Sequence, residues 1–227
     1  MKSLKEYIQE SLSLDMKLNE SSLLDIDDTN DDDLKLYITN WLYEHNSYGM
    51  TINPDCININ INNGKVDVKY NGKDPLIINI GNGYSEKIPF KLGKFDGFIS
   101  ANWIKYLNCT NLPDECYGLE FNHVLKVNWK NSHVKINTYP FKSMRNNVDF
   151  CCSPGALKSM RNIKFEFTGE NRNFNISELN PKMLDNITLI NCKEIYVSGK
   201  LDMSEEEIQK IKGAEQIRHF GNIINIK

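Results

Sequence analysis

The spacing of apolar residues predicts an α/β protein: N-terminal helices, a β-hairpin and meander, then an irregular solenoid of short strands with a C-terminal helix. Three observations carry that prediction. Apolar residues change from helical to period-two spacing near residue 55, turn signals recur at short intervals beyond it, and a six-residue segment is nearly duplicated in the second half.

The first element is helical. Leu4, Ile8 and Leu12 recur at helical spacing among Lys5, Glu6, Gln9 and Glu10, which describes a short amphipathic helix that needs a surface to dock on. A polar, acidic stretch follows and ends in Asp31-Asp32-Asp33. Aspartates at a helix start satisfy free N–H groups and complement the dipole, so a second helix is expected from about Asp32 to Glu44. Leu34, Ile38, Trp41 and Leu42 form its apolar face.

Strand patterning begins with Cys56-Ile57-Asn58-Ile59-Asn60-Ile61, turns at Asn62-Asn63-Gly64, and resumes in Val66-Asp67-Val68-Lys69-Tyr70. This is a hairpin with one wet face. Leu76 to Ile80 reads as a further strand, and the turn-punctuated apolar run Ile88 to Ile99 as more strand.

The near-duplication is Phe141-Lys142-Ser143-Met144-Arg145-Asn146 against Leu157-Lys158-Ser159-Met160-Arg161-Asn162, with a looser copy in Pro181-Lys182-Met183-Leu184-Asp185-Asn186. Alternating strand residues follow each copy at once, and Pro140, Pro154 and Pro181 open the units, as Pro113 does ahead of Leu119-Glu120-Phe121. The unit reads as proline, an irregular turn with a core Met or Leu, Asn at the bend, then a strand. Asn suits the bend because its side chain bonds nearby backbone and tolerates left-handed conformations. One such unit cannot bury its own apolar face, so neighbours must stack, as in leucine-rich-repeat solenoids. The strands after Met144 and Met160 are therefore expected side by side in register, and the uneven spacing makes the leucine-rich-repeat-like array irregular. Ser204 to Gly213 carries the signals of a helix, with Ser as cap, Glu207 three residues on, and Gly at the stop. Ile223-Ile224-Asn225-Ile226 is expected as a closing strand.

Charge divides the chain in two: a segment 1–33 and a helix plus β-rich repeat domain 34–227. Through Asp33 ten acids face three lysines, whereas the rest is mildly basic within a net charge of −3. Arginine occurs only at Arg145, Arg161, Arg172 and Arg218, which argues against sequence-specific nucleic-acid binding. The opening residues lack the apolar run of a signal peptide, and no later run reaches the length of a membrane span, so a soluble, cytosolic or intravirion protein is expected. Cys56, Cys109, Cys116, Cys151, Cys152 and Cys192 contain no C-x2-C pair and read as reduced, mostly buried thiols.

Motifs that carry chemistry are missing. The acidic stretch from Asp25 places Asn30 and Leu36 where a calcium loop needs Gly and Glu. His45, His123, His133 and His219 are scattered, although His123 and His133 flank the strand expected over Val124 to Asn128. Ser153 before Pro154 reads as a helix cap rather than a nucleophile. No catalytic, cofactor-binding or metal-binding residue is assigned, and no cofactor is expected. Trp103, Tyr106, Trp129 and Tyr139 read first as core and, wherever exposed, as the anchors of a protein-binding surface.

The opening Met1-Lys2-Ser3-Leu4-Lys5-Glu6-Tyr7-Ile8-Gln9-Glu10-Ser11-Leu12, the acidic stretch, Gly64-Lys65-Val66-Asp67-Val68 and the run Ile88 to Gly97, followed by proline-initiated strand units, resemble uncharacterised leucine-rich-repeat-like proteins of tailed phages and prophages of gut Bacteroidales. The resemblance implies a virion component or a host-interacting factor, in the virion or the host cytoplasm, with residues 1–33 as a sorting or docking tag. The expectation is thus a non-catalytic protein-protein interaction or structural module. Its rivals are a small hydrolase or nuclease assembled from residues such as Glu120, His123 and His133, and a structural homo-oligomer stacked through strand edges.

Overall fold

A computed structural model of the chain describes residues 31–46, 52–81, 87–140, 147–170 and 172–227. The amphipathic helix expected over Leu4 to Leu12 and the first thirty residues of the tag lie outside the described residues. Helix α1 (Asp31–Glu44) starts beside its aspartates and buries Leu34, Ile38, Trp41 and Leu42, the face that its periodicity singles out. Strands β1 (Ile57–Asn62) and β2 (Lys65–Tyr70) form the hairpin. Asn63 and Gly64 close it at φ of 51° and 70°, the left-handed pair whose twist matches that of two antiparallel strands.

From β2 onward the chain winds as a β-solenoid of about six turns. One sheet has eight strands: β3 (Leu76–Gly81), β5 (Gly97–Asn102), β8 (Gly118–Asn122), β11 (Asn147–Phe150), β13 (Asn173–Leu179), β15 (Cys192–Leu201) and β16 (Ala214–His219) in parallel, then β17 (Asn222–Asn225) antiparallel at the end. The other sheet has seven. It continues from β1 and β2 through β4 (Leu92–Phe95), β7 (Glu115–Cys116), β10 (Lys130–Ile136), β12 (Arg161–Phe167) and β14 (Ile187–Ile190), parallel from β2 on. Each turn lays a strand in the seven-stranded sheet, then one in the eight-stranded sheet. It returns along a third side built in successive turns by β6 (Tyr106–Asn108), β9 (Lys126–Asn128), helix α2 (Pro154–Ser159), the turn 181–186 and helix α3 (Glu205–Ile208).

Period-two alternation explains what faces inward. Ile78, Ile99, Leu119, Val148, Phe174, Ile195 and Ile217 lie side by side across the eight-stranded sheet, and every one is buried. Their partners on the same strands, Asn79, Ser100, Glu120, Asp149, Asn175, Tyr196 and Arg218, form the matching row on the outer face. The core thickens around Phe121, Phe150, Phe165 and Phe174; the Phe121 and Phe150 rings stack with centroids 4.5 Å apart. On the outside of the seven-stranded sheet Lys94, Glu115, Lys135 and Glu166 stand in register, alternating in sign.

The solenoid is present, but its repeat is not the unit expected. The strand after Met144 is β11, in the eight-stranded sheet, and the strand after Met160 is β12, in the seven-stranded sheet. The Met160 segment is instead equivalent to its looser relative, because Ile163 lies beside Ile187 and Phe165 beside Leu189. The physical repeat is a whole turn with two strands, and a bend followed by alternating residues obeys the same local rules at more than one corner of that turn. Spacing between neighbouring rungs varies accordingly, from 20 residues between Phe98 and Gly118 to 31 between Lys130 and Arg161.

Two further differences lie near the C-terminus. The helix expected over Ser204 to Gly213 keeps its capping box, with Ser204 and Glu207 bonding each other's backbone, but it runs only from Glu205 to Ile208. Beyond Ile208 the chain has to cross to β16, a strand not foreseen, and the closing strand β17 pairs with it rather than with the array.

Candidate functional site

The corner that follows β5 and β8 departs from the chain's own rule for bends. Among the described residues seven non-glycines have positive φ, and four are asparagines: Asn63, Asn131, Asn162 and Asn191. Trp103 and His123, both at φ 55°, are bulky residues held where such side chains are strained by about 1–3 kcal/mol. They follow the paired residues Asn102 and Asn122, so they occupy equivalent places on adjacent turns, and their rings stack with centroids 4.0 Å apart. Trp103 is nevertheless 65% exposed. Tyr106, at the start of β6, and Leu125, opposite Lys105, are 57% and 60% exposed and extend the same corner onto the third side.

Of the four aromatic residues singled out in the sequence, the structure exposes Trp103 and Tyr106, three residues apart in the chain at this corner. Trp129 is buried between Phe121 and Phe165, edge-on to the latter at 5.6 Å. Tyr139 is also buried, at one end of the eight-stranded sheet, packed edge-on against Phe98 and Tyr117. Neither presents a surface: Trp129 belongs to the core between the sheets, and Tyr139 is covered by Phe98 and Tyr117 outside it. Leu125 was missed: a single exposed leucine has no signal of its own, and only the pairing of Tyr106 with Lys126 brings its turn alongside that of Tyr106.

A network of polar side chains adjoins the corner on the eight-stranded sheet. Asn122 donates to Asn102 (3.1 Å) and to Glu120 (2.8 Å), Asn102 donates to Ser100 (3.0 Å), and Ser100 donates to the other oxygen of Glu120 (3.2 Å). One rung further, Asp149 accepts from Asn175 and from the Cys151 N–H, both at 2.8 Å. These bonds run between and along rungs, so they tie the turns together as much as they line a face. At the C-terminal end the same face sinks into a depression of about 710 Å³. Its floor holds Glu194, buried and accepting from Gln216 (2.7 Å) and from Arg218 Nε (2.9 Å), flanked by Asn175 and Tyr196.

The residues of the hydrolase reading do not converge. Glu120 and His123 share a corner, but His133 lies in β10 of the other sheet, where its Nε2 meets Glu166 at 2.8 Å. Ser153 is buried and its hydroxyl donates to the Phe121 carbonyl (2.7 Å) while accepting from Val124 N–H (2.9 Å). It therefore bridges α2 to the preceding turn and makes no side-chain bond as a helix cap. Burial pushes the Cys151 thiol up to about 11, which keeps it protonated. Among the described residues no three His, Cys, Asp or Glu side chains come together as a metal cage, and no helix is long and apolar enough to cross a membrane.

Fold and surface together define a β-solenoid with two largely parallel sheets and an exposed aromatic corner at Trp103 and His123. No family model matches this chain, nor does a curated protein or a solved structure.

Proposed function

We propose that this chain is a non-catalytic interaction module that engages a protein partner through the corner formed by Trp103, His123, Tyr106 and Leu125. The observation that carries the reading is Trp103 itself: an indole in a strained left-handed conformation, stacked on His123, with most of its surface in water. Four of the seven described non-glycine residues with positive φ are asparagines, so a corner that served only to turn the chain has no need of an indole. Large, rigid aromatic rings lose little entropy on contact and are enriched among residues that dominate protein interfaces. The solenoid supports the role by holding the corner in short bends between paired parallel strands of adjacent turns.

The setting belongs to the same proposal. The likeness of the opening residues and strand units to phage-encoded leucine-rich-repeat-like proteins supports a virion component or a host-directed factor, with residues 1–33 as a docking tag. Affinity purification of the full chain from its native context, compared with W103A/Y106A, tests the binding surface. Both side chains are more than half exposed, so the double variant should keep the circular dichroism and melting temperature of the parent. The expected outcome is a protein partner retained by the parent and weakened at least tenfold by the variant. A partner held equally by both would move the interface away from this corner.

A further inference from the structure

A two-sheet solenoid has four terminal strand edges, and three meet other parts of the chain over at least part of their length. The edge of β3 is met by residues 45–46: Asn79 N–H donates to the His45 carbonyl (2.8 Å) and Ile77 N–H to Asn46 Oδ1 (3.3 Å). Along β14 the chain between α3 and β16 passes so close that a Cβ on Gly213 would overlap the Leu189 carbonyl. The second half of β17 is capped by the Gln209 amide, which donates to the Asn225 carbonyl (3.0 Å) and accepts from Lys227 N–H (2.7 Å).

The fourth edge, β1, has no such cover among the described residues. Alternate residues of an antiparallel strand turn their N–H and C=O away from the partner. Asn71 N–H donates to the Cys56 carbonyl (3.0 Å), which makes Ile57, Ile59 and Ile61 the outward set. Ile57 N–H is committed to the Pro54 carbonyl. The carbonyls of all three isoleucines and the N–H groups of Ile59 and Ile61 bond no described residue. The three isoleucine side chains are only half-buried, so an apolar stripe runs beside this edge. Strands left in this state normally carry a charge, a proline or a bulge that discourages pairing. Strand β1 has none of these over its six residues.

We infer that the β1 edge pairs antiparallel with the β1 edge of a second copy of this chain, joining two seven-stranded sheets across a two-fold axis. The alternation Ile-Asn-Ile-Asn-Ile-Asn is what selects a second copy. Centred on Ile59, the pairing sets Ile57 against Ile61, Asn58 against Asn60, and Ile59 against itself, so apolar meets apolar on the inner face and amide meets amide outside. Ile59 exchanges both bonds with its counterpart, and each Ile61 N–H reaches the opposing Ile57 carbonyl. Only the Ile61 carbonyl lacks a donor, because Ile57 N–H is already used. No charge on either strand opposes the match.

Light scattering on the full chain, with hydrogen exchange of the Ile59 and Ile61 amides, tests the inference. The parent should show twice the 26.2 kDa chain mass, with both amides protected in step with dimer formation. N58K/N60K sets lysine against lysine and should raise the dissociation constant at least tenfold. N58E/N60K sets glutamate against lysine in this register alone, faces Lys69 and Asp67 on β2 with opposite charge, and should restore the dimer. Asn58 and Asn60 are exposed, so neither variant disturbs the core. A monomer at every concentration would overturn the inference, and so would a dimer indifferent to N58K/N60K. A monomer whose Ile59 and Ile61 amides are protected would assign the edge to another segment of the same chain and overturn it equally.

Discussion

Ser153 has the sequence context of a helix cap, yet its hydroxyl is spent on two backbone groups of the preceding turn. Residue preference alone could not reveal this, since Ser before Pro suits both roles and only the stacking of turns brings Phe121 and Val124 within reach. Replacing it leaves a buried N–H and a buried C=O without partners. S153A should therefore cost about 2–3 kcal/mol in chemical denaturation, well beyond the loss of an ordinary cap. The thiols were more legible. Cysteine without metal or disulfide spacing is a small apolar residue, and Cys109, Cys116 and Cys192 are buried, whereas Cys152 is exposed. Desolvation raises Cys116 and Cys192 from 9.0 to about 12, and Tyr117, half-buried and beside Asp96, from 10.0 to about 12. Alkylation at pH 8 should label Cys152 first and reach Cys109, Cys116 and Cys192 only on unfolding. A raised folded pKa contributes stability that is complete below the unfolded value and lost as pH climbs toward the folded one. Denaturant midpoints should therefore be unaffected by these groups below about pH 9 and fall between about 9 and 12.

Elements were legible where a single face or turn dictated them. Helix α1 follows from its aspartates and four apolar residues, and the β1–β2 hairpin from Ile/Asn alternation around Asn63-Gly64. Strand β16 was not legible, because its inward side carries Glu215, Ile217 and His219, and one isoleucine makes no periodicity. The hairpin it forms with β17 turns at Phe220-Gly221, with φ of 45° and 83°, the same geometry as Asn63-Gly64 but with a phenylalanine that is 72% exposed. A bulky residue in that position is strained, and asparagine is the preferred occupant. F220N should stabilise the protein by about 0.5–1 kcal/mol, seen as a higher melting temperature, despite losing the contact between the Phe220 and His219 rings. No change in stability would mean that this ring contact offsets the strain.

The whole molecule was legible as an array of stacked strands but not as two sheets. Period-two alternation states that one side of a strand is buried; it does not say which of two sheets the strand joins, and the likeness of the Met144 and Met160 segments concealed that β11 and β12 belong to different ones. The aromatic corner was half legible for the same reason. Trp103 and Tyr106 could be named from composition, but the stacking of Trp103 on His123 depends on how turns superpose. What holds the sheets together is the packing between them, centred on Phe150, which is fully buried, stacked on Phe121 of its own sheet and 6.5 Å from Phe165 of the other. F150A should cost about 3–5 kcal/mol and lower the unfolding midpoint of both sheets together, as followed by far-ultraviolet circular dichroism and tryptophan fluorescence.

The row of Lys94, Glu115, Lys135 and Glu166 bears on how such a chain assembles. Strands that differ little in their buried residues are prone to docking one place too far along. Here a winding that skipped a turn would bring Lys94 against Lys135, or Glu115 against Glu166, and like charges directly opposite repel. The alternation of sign therefore acts as a parity check on winding order, favouring nearest neighbours in sequence over next-nearest at each successive closure.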